Sequence, residues 1–361
     1  MENNIPNVGP QTLVEAIRYF SDPETCHNFM VGLRWSEGVV CPFCESKLNS
    51  FISTRKVWKC KTCRKQFSTK VGTVMEDSPL GLDKWLTGIW LIANAKNGIS
   101  SYEVHRALGI TQKSAWFLLH RIRLAMQSGS LRMLTGEVEV DETYIGGKAR
   151  NMHKKKKAEK IQGRGTTGKA IVIGVLERNG EVRTKVLQDT KRKTVQDEVR
   201  ANVQAGSLVC TDALQSYVGL APDYVHEAVD HAVEYVRGNV HTNGLENYWS
   251  LLKRCIKGTY VSVEPFHLFR YLDEQAFRFN QRKHASGDVK KDGERFVDVV
   301  GSVSGKRLTY KKLTGKDAPE MLPQRLCNAN GFFGRKSLSD RRKSLFFVLR
   351  DDLRYKALPQ P

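Results

Sequence analysis

Two rhythms of apolar residues divide the chain, a helical one up to about Met126 and an alternating one after Gly136. In the first part, Leu13, Ile17 and Phe20 share one face of a segment from Thr12 to Phe20, and a second helical segment follows Ser21-Asp22-Pro23 as far as Leu33. Leu82 to Ala95 carries Trp85, Leu86, Ile89, Trp90 and Ala93. Ser101 is then expected to cap a short helix, Ala107 to Ile110 to turn, and Thr111 to cap a longer helix with Ala115, Leu118, Leu119 and Ile122 inward. In the second part, Glu137, Glu139 and Asp141 line one side of a strand running to Ile145, with Val138 and Val140 on the other. Residues 170–177 and 182–187 read as a hairpin around Asn179-Gly180, Lys193 to Ala205 as a helix, Ser207 to Asp212 as a strand and Tyr224 to Val229 as another. Leu245, Trp249, Leu251 and Leu252 mark an amphipathic helix within HTNGLENYWSLLKR (241–254), and Glu264-Pro265 opens a helix to about Arg282. Three strands, a helix, two strands and a helix suit a mixed sheet flanked by helices.

Between Leu33 and Leu82 the signal is chemical. Cys41 and Cys44 form one C-x-x-C pair, and Cys60 and Cys63 form another after fifteen intervening residues. Four thiolates in two knuckles close a tetrahedral shell around Zn²⁺, and the intervening FISTRKVWK alternates like a hairpin. One structural zinc is expected, since four protein ligands leave no open position; an iron site or a redox dithiol are the competing readings. With the other cysteines scattered, the pattern points to a reducing compartment.

The formal charge is +20, from 58 Lys and Arg against 38 Asp and Glu, and such an excess calls for a polyanionic partner, most often nucleic acid. The two helices around Gly109 fit a helix-turn-helix that would bring Gln112 and Lys113 to base edges and Arg121 and Arg123 to the DNA backbone; the alternative is a plain helical hairpin in a core. Residues 148–169 hold nine Lys or Arg against one Glu, Lys154, Lys155, Lys156 and Lys157 among them, and read as a basic loop able to grip DNA. Arg254 adds a further candidate contact. No apolar run reaches the roughly 18 residues of a membrane span, and the N-terminus does not read as a signal peptide, so a cytoplasmic location on the nucleoid and no membrane partner are expected.

Three carboxylates remain. Glu246 and Lys253 lie seven apart on the polar side of the 241–254 helix, about two turns, although Asn243 as an N-cap would make Glu246 part of a capping box instead. Asp212 closes a strand, where an aspartate is often only a turn cap, and Asp141 faces out with other acids on what would otherwise be a solvent-exposed edge strand. Were Asp141, Asp212 and Glu246 to converge at one sheet edge, their repulsion would be relieved by two Mg²⁺ or Mn²⁺ ions roughly 4 Å apart, the arrangement that promotes in-line phosphodiester displacement. Lys253 would then hold a phosphate beside the scissile bond.

The combination RWSEGVVCPFC (34–44), EVDETYIGG (139–147), TDAL (211–214), HTNGLENYWSLLKR (241–254) and GTY followed by HLFRYLDEQAFRFNQR (to 282) resembles the zinc-ribbon DDE transposases of bacterial insertion sequences. The 33 residues between Asp212 and Glu246 fit that family, as does Glu246-x6-Lys253. The resemblance implies a multidomain α+β chain: a helical segment (1–36), a zinc ribbon (37–72), a helix-turn-helix (80–130), an RNase H-like mixed α/β catalytic core (135–285) and a basic C-terminal extension (286–361). It further implies Asp141, Asp212 and Glu246 as magnesium ligands of an enzyme that cuts transposon ends and joins them to target DNA, working on double-stranded DNA as a homodimer or larger assembly. The rivals are a catalytically silent DNA-binding regulator and a plain metal-dependent nuclease.

Overall fold

The computed structural model describes residues 9–127, 132–147, 154, 168–212, 214–229 and 241–316. Its helices are α1 (Leu13–Tyr19), α2 (Pro23–Arg34), α3 (Leu82–Asn94), α4 (Ser101–Leu108), α5 (Gln112–Met126), α6 (Arg192–Asn202), α7 (Asn243–Cys255), α8 (Leu268–Asn280), α9 (Asp292–Gly301) and α10 (Tyr310–Leu313). Strands β1 (Asn49–Ile52), β2 (Val57–Cys60) and β3 (Gln66–Phe67) form a small antiparallel sheet. A larger sheet contains β4 (Glu137–Ile145), β5 (Ala170–Glu177), β6 (Val182–Leu187), β7 (Leu208–Asp212) and β8 (Val225–Val229).

The helix starts are chemically specified. Thr12, Asp22 and Thr111 each accept the backbone N–H three residues on, and Pro23 stands where α2 needs no donor. The cap of α4 is Ser100, one residue before the expected Ser101; it forms a full capping box with Glu103. Gly109 supplies the left-handed turn between α4 and α5, at φ 62°. The hydrophobic faces of α1 to α5 close over one core containing Phe20, Met30, Trp85, Trp90, Leu118 and Ile122.

That core has a late contributor. Phe296, Val299 and Val300 of α9 are buried in it, spaced i, i+3, i+4, and Phe296 lies 5.2 Å from the Trp90 ring. Residues 286–315 therefore include a structural helix, which corrects the expectation of a basic extension beginning at 286; residues 317–361 lie outside those described.

The large sheet runs β6-β5-β4-β7-β8, with β4–β5 and β5–β6 antiparallel and β4–β7 and β7–β8 parallel. One face packs Val138, Val140 and Val209 under Val195 and Val199 of α6. The other packs Val172 and Leu176 under Leu245, Tyr248, Trp249 and Leu252 of α7 and Leu272 of α8. Close approach of α7 needs Gly174 on β5, because a Cβ there would stand 2.6 Å from the Trp249 ring. Among the described residues no helix is long and apolar enough to cross a membrane.

Helices α5 and α8 are joined by buried charge. Arg123 Nε donates to Glu274 Oε2 at 2.6 Å, Arg278 pairs with the other oxygen, and the Tyr260 hydroxyl donates to that oxygen at 2.6 Å. Burial raises the Glu274 pKa, but the Arg278 and Arg123 guanidiniums overcome it and hold the carboxyl at about 2. Two cations against one anion are balanced in part by aromatic faces, with Arg123 lying 4.1 Å from the Tyr271 ring centroid. Glu274→Gln should leave both guanidiniums uncompensated and lower the unfolding free energy by about 3–5 kcal/mol, read by urea denaturation. Lys113→Gln, at an exposed site, should change it by less than about 0.5 kcal/mol.

Candidate active site

Strands β4 and β7 pair in parallel at Glu137↔Leu208, Val138↔Val209 and Glu139↔Cys210, and the pairing stops there. Continuing that register by two residues sets Asp141, midway along β4, against Asp212 at the carboxyl end of β7, where the two strands part. In α/β sheets such a parting is the usual place for a ligand. Asp141, Glu142 and Asp212 each offer a carboxylate oxygen within 4.8 Å of the others. The acids thus meet between two central strands, which corrects the expectation of a sheet edge.

Each carboxylate has a distinct mounting. Asp141 Oδ2 accepts the Trp249 indole N–H of α7 at 2.8 Å, and its Oδ1 accepts the Glu142 backbone N–H at 2.8 Å. Asp212 Oδ1 accepts the Leu214 backbone N–H at 3.2 Å, so the turn-capping role of a strand-end aspartate is present alongside the cluster. Glu142, which the alternation along the strand does not single out, points to the α6 face, where Oε1 is buried with no hydrogen-bond partner.

At such distances two carboxylates repel by roughly 3–4 kcal/mol at an effective dielectric constant near 20. Burial, with the charges of Asp212 and Glu246 added, pushes Asp141 up to about 6. Burial, with Asp212 and Asp141, pushes Glu142 up to about 7, the neighbouring Tyr217 hydroxyl pulling it back in part. Three oxygen donors, one with an orphaned buried atom, suit a hard divalent cation such as Mg²⁺ or Mn²⁺.

Glu246 sits on α7, which also carries Trp249, and its charge reaches Asp141, but it is exposed and outside the three-carboxylate cluster. It is not a capping residue. The N-cap position is Thr242, which makes no side-chain cap, and Asn243 is already helical. The helix start is satisfied from the sheet: buried Glu139 Oε2 accepts the Leu245 N–H at 2.9 Å. Lys253 is half-buried and Arg254 exposed in the last turn of α7.

At the N-terminal cluster the Sγ atoms of Cys41 and Cys63 lie 3.7 Å apart and those of Cys44 and Cys60 3.6 Å apart. Tetrahedral Zn–S bonds of about 2.3 Å put sulfurs about 3.8 Å apart, so the four cysteines fit one structural zinc. Glu45 and Arg64, each following a C-x-x-C, both take left-handed backbone (φ 58° and 62°), which shows two matching knuckles. Trp35, Trp58 and Phe67 form the small core beneath them.

The residues expected on DNA divide. Arg121 and Arg123 are buried, and this corrects their placement at a DNA backbone: Arg121 is bound to the Glu76 carbonyl and stacked between Trp85 and Phe117, while Arg123 belongs to the Glu274 network. Their positions, two apart on a helix with a wide buried face, gave no sign of this. Gln112 is half-buried and donates to Ser101 Oγ, and Lys113 is exposed over the Tyr310 ring of α10. Lys154 is exposed; Lys155, Lys156 and Lys157 lie outside the described residues.

Residues 133–280 match the ISXO2-like transposase domain, and residues 21–66 match a transposase zinc-ribbon domain. The chain is 27% identical over 255 residues to an uncharacterized protein in transposable element ISH50 of Halobacterium salinarum, covering 66% of this chain and 85% of that protein. It is also 28% identical over 101 residues to an uncharacterized transposase-like protein of Haemophilus influenzae, covering 28% of this chain and 81% of that one.

Two outcomes are expected. Metal analysis of purified protein should find one zinc per chain, and Cys60→Ser should remove it and open residues 37–72 to proteolysis. The second concerns pH. Because Asp141 and Glu142 hold protons more tightly when folded, their stabilising effect is complete below about pH 4 and is lost as pH rises through about 6 and 7. Millimolar Mn²⁺ should restore it, so the Tm difference between Mn²⁺ and EDTA should widen from pH 5 to pH 8; a constant difference would count against a metal site.

Proposed function

Because the chain belongs to the zinc-ribbon DDE transposases of insertion sequences, we propose that it cleaves transposon ends and joins them to target DNA, with Asp141, Asp212 and Glu246 as its catalytic acids. The observation that carries this reading is the meeting of Asp141 and Asp212 where β4 and β7 part. Domain matches alone would fit a protein that only binds DNA. A half-buried, self-repelling set of carboxylates has no purpose in binding a polyanion, since it repels phosphates too.

Divalent cations at this site would supply charge neutralisation and Lewis-acid activation for in-line phosphodiester displacement. Trp249 fixes the orientation of Asp141 through its indole N–H and so keeps one carboxylate oxygen from swinging away. Glu246 belongs to the same helix, which holds its backbone in register with that bond, and Lys253 offers an ammonium two turns on for a phosphate. The core carrying them is read as RNase H-like from its mixed sheet and strand order. DNA recognition is assigned to the zinc ribbon and the α4–α5 pair in a helix-turn-helix role, with Lys113, Lys154 and Arg254 as exposed candidates for phosphate contact, alongside the basic loop. Two DNA ends must be paired before joining, which calls for a dimer or a larger assembly.

Supplying labelled transposon ends and a target plasmid with Mg²⁺ tests the reading. Joined products are expected, and Asp141→Asn, Asp212→Asn and Glu246→Gln should each lower their yield by about 100-fold or more, with DNA affinity largely kept. Cuts without joining would indicate a nuclease, and bound but uncut DNA a regulator.

A further inference from the structure

Asp141 and Glu142 are consecutive on a strand and belong to opposite faces of the sheet, one towards α7 and the other towards α6. Side chains so placed normally diverge. Here both lie where β4 runs on beyond its pairing with β7, and each offers an oxygen within 4.8 Å of the other and of Asp212. Glu246 does not reach that set. Two further observations suit Glu142 to binding a cation. Its Oε1 is buried without a hydrogen-bond partner, and the polar group facing the carboxylate is the neutral hydroxyl of Tyr217, a residue only 1% exposed, which makes no well-formed hydrogen bond and brings no positive charge. A carboxylate that served only the fold would be paired, as Glu139 is with Arg178 and the Leu245 N–H.

We propose that Glu142 is a direct ligand of a divalent cation, and that Asp141, Glu142 and Asp212 together hold one ion before DNA arrives and without help from Glu246. This rests on the reading of the cluster as the catalytic metal site. It adds a fourth acid to the site. Three carboxylates give that set enough negative charge to hold a cation.

The test uses the full-length, zinc-loaded chain without DNA and with Mn²⁺ as the probe, counting free ion by electron paramagnetic resonance. Glu142→Gln, close in shape, should weaken Mn²⁺ binding about tenfold or more and correspondingly shrink the Mn²⁺-induced rise in Tm. In EDTA the same variant should melt no lower than the parent, which separates ligand loss from misfolding. Glu246→Gln should leave Mn²⁺ affinity within about threefold, and Asp141→Asn should remove it. If Glu142→Gln binds Mn²⁺ like the parent while Asp141→Asn does not, the role of Glu142 is overturned and the metal site stands. If Glu246→Gln removes binding as completely as Asp141→Asn, the assignment of the ion to Asp141, Glu142 and Asp212 alone is overturned. If Asp141→Asn also binds normally, the metal reading of the whole cluster falls with it.

Discussion

The seating of α7 on β4 is the contact from which the rest of the site follows. It is made by two acids of the same strand face. Glu139, buried and paired with Arg178, accepts a backbone N–H from the first turn of α7, while Asp141, two residues along, accepts the Trp249 indole N–H from its second turn. Two bonds about a helical turn apart fix both the height and the rotation of α7 over the sheet. Gly174 and Gly244 permit the close approach, since a Cβ on either would collide with Trp249 or Glu139. Everything α7 displays outward, Glu246, Lys253 and Arg254, inherits its position from this docking.

The same chemistry is used in two opposite ways. Glu274 is a fully buried carboxylate closed off by two guanidiniums and a tyrosine hydroxyl, and it ties the N-terminal helical core through α5 to α8. Both oxygens of that carboxylate are taken up by cations of the protein itself. The Asp141, Glu142 and Asp212 group, by contrast, has carboxylates near one another, and among the described residues their hydrogen-bond donors are neutral backbone and indole N–H groups. An enclosed charge network gives rigidity, and an acid cluster left uncompensated gives affinity for metal.

Much of this was legible in the sequence, for identifiable reasons. Period-two alternation from Glu137 to Ile145 and Asn179-Gly180 specify β4 and the β5–β6 hairpin, because side-chain direction in a strand and the sign of φ in a tight turn are local properties. Twin C-x-x-C pairs specify the ribbon because thiolate geometry around zinc is narrow. Residues whose role depends on distant partners were not legible. Arg123 looks like any basic residue of a DNA-facing helix until Glu274, 151 positions away, is packed against it. Glu142 looks like an exposed neighbour of Asp141 until β7 parts from β4 and Asp212 is brought beside both. The run FVDVV in α9 carries helical spacing that a basic surrounding masks.

These placements also bear on how the helical part and the sheet act together. Thr259, just beyond α7, donates to the Asn97 carbonyl at 2.7 Å, and the Tyr260 hydroxyl occupies the position a Cβ of Gly98 would need. Gly98 lies two residues before the Ser100 cap of α4. The loop that starts the α4–α5 pair is therefore braced against the end of the helix that carries Glu246 and Lys253, and Glu274 braces α5 from the other side through Tyr260 and Arg123. With such short links and a shared buried anion, the α4–α5 pair and α7 cannot shift independently without exposing or stranding charge. Any partner that grips α4 and α5 is thereby held in a set geometry relative to the acid cluster, which is the physical requirement for cutting DNA at a defined distance from the place where it is recognised.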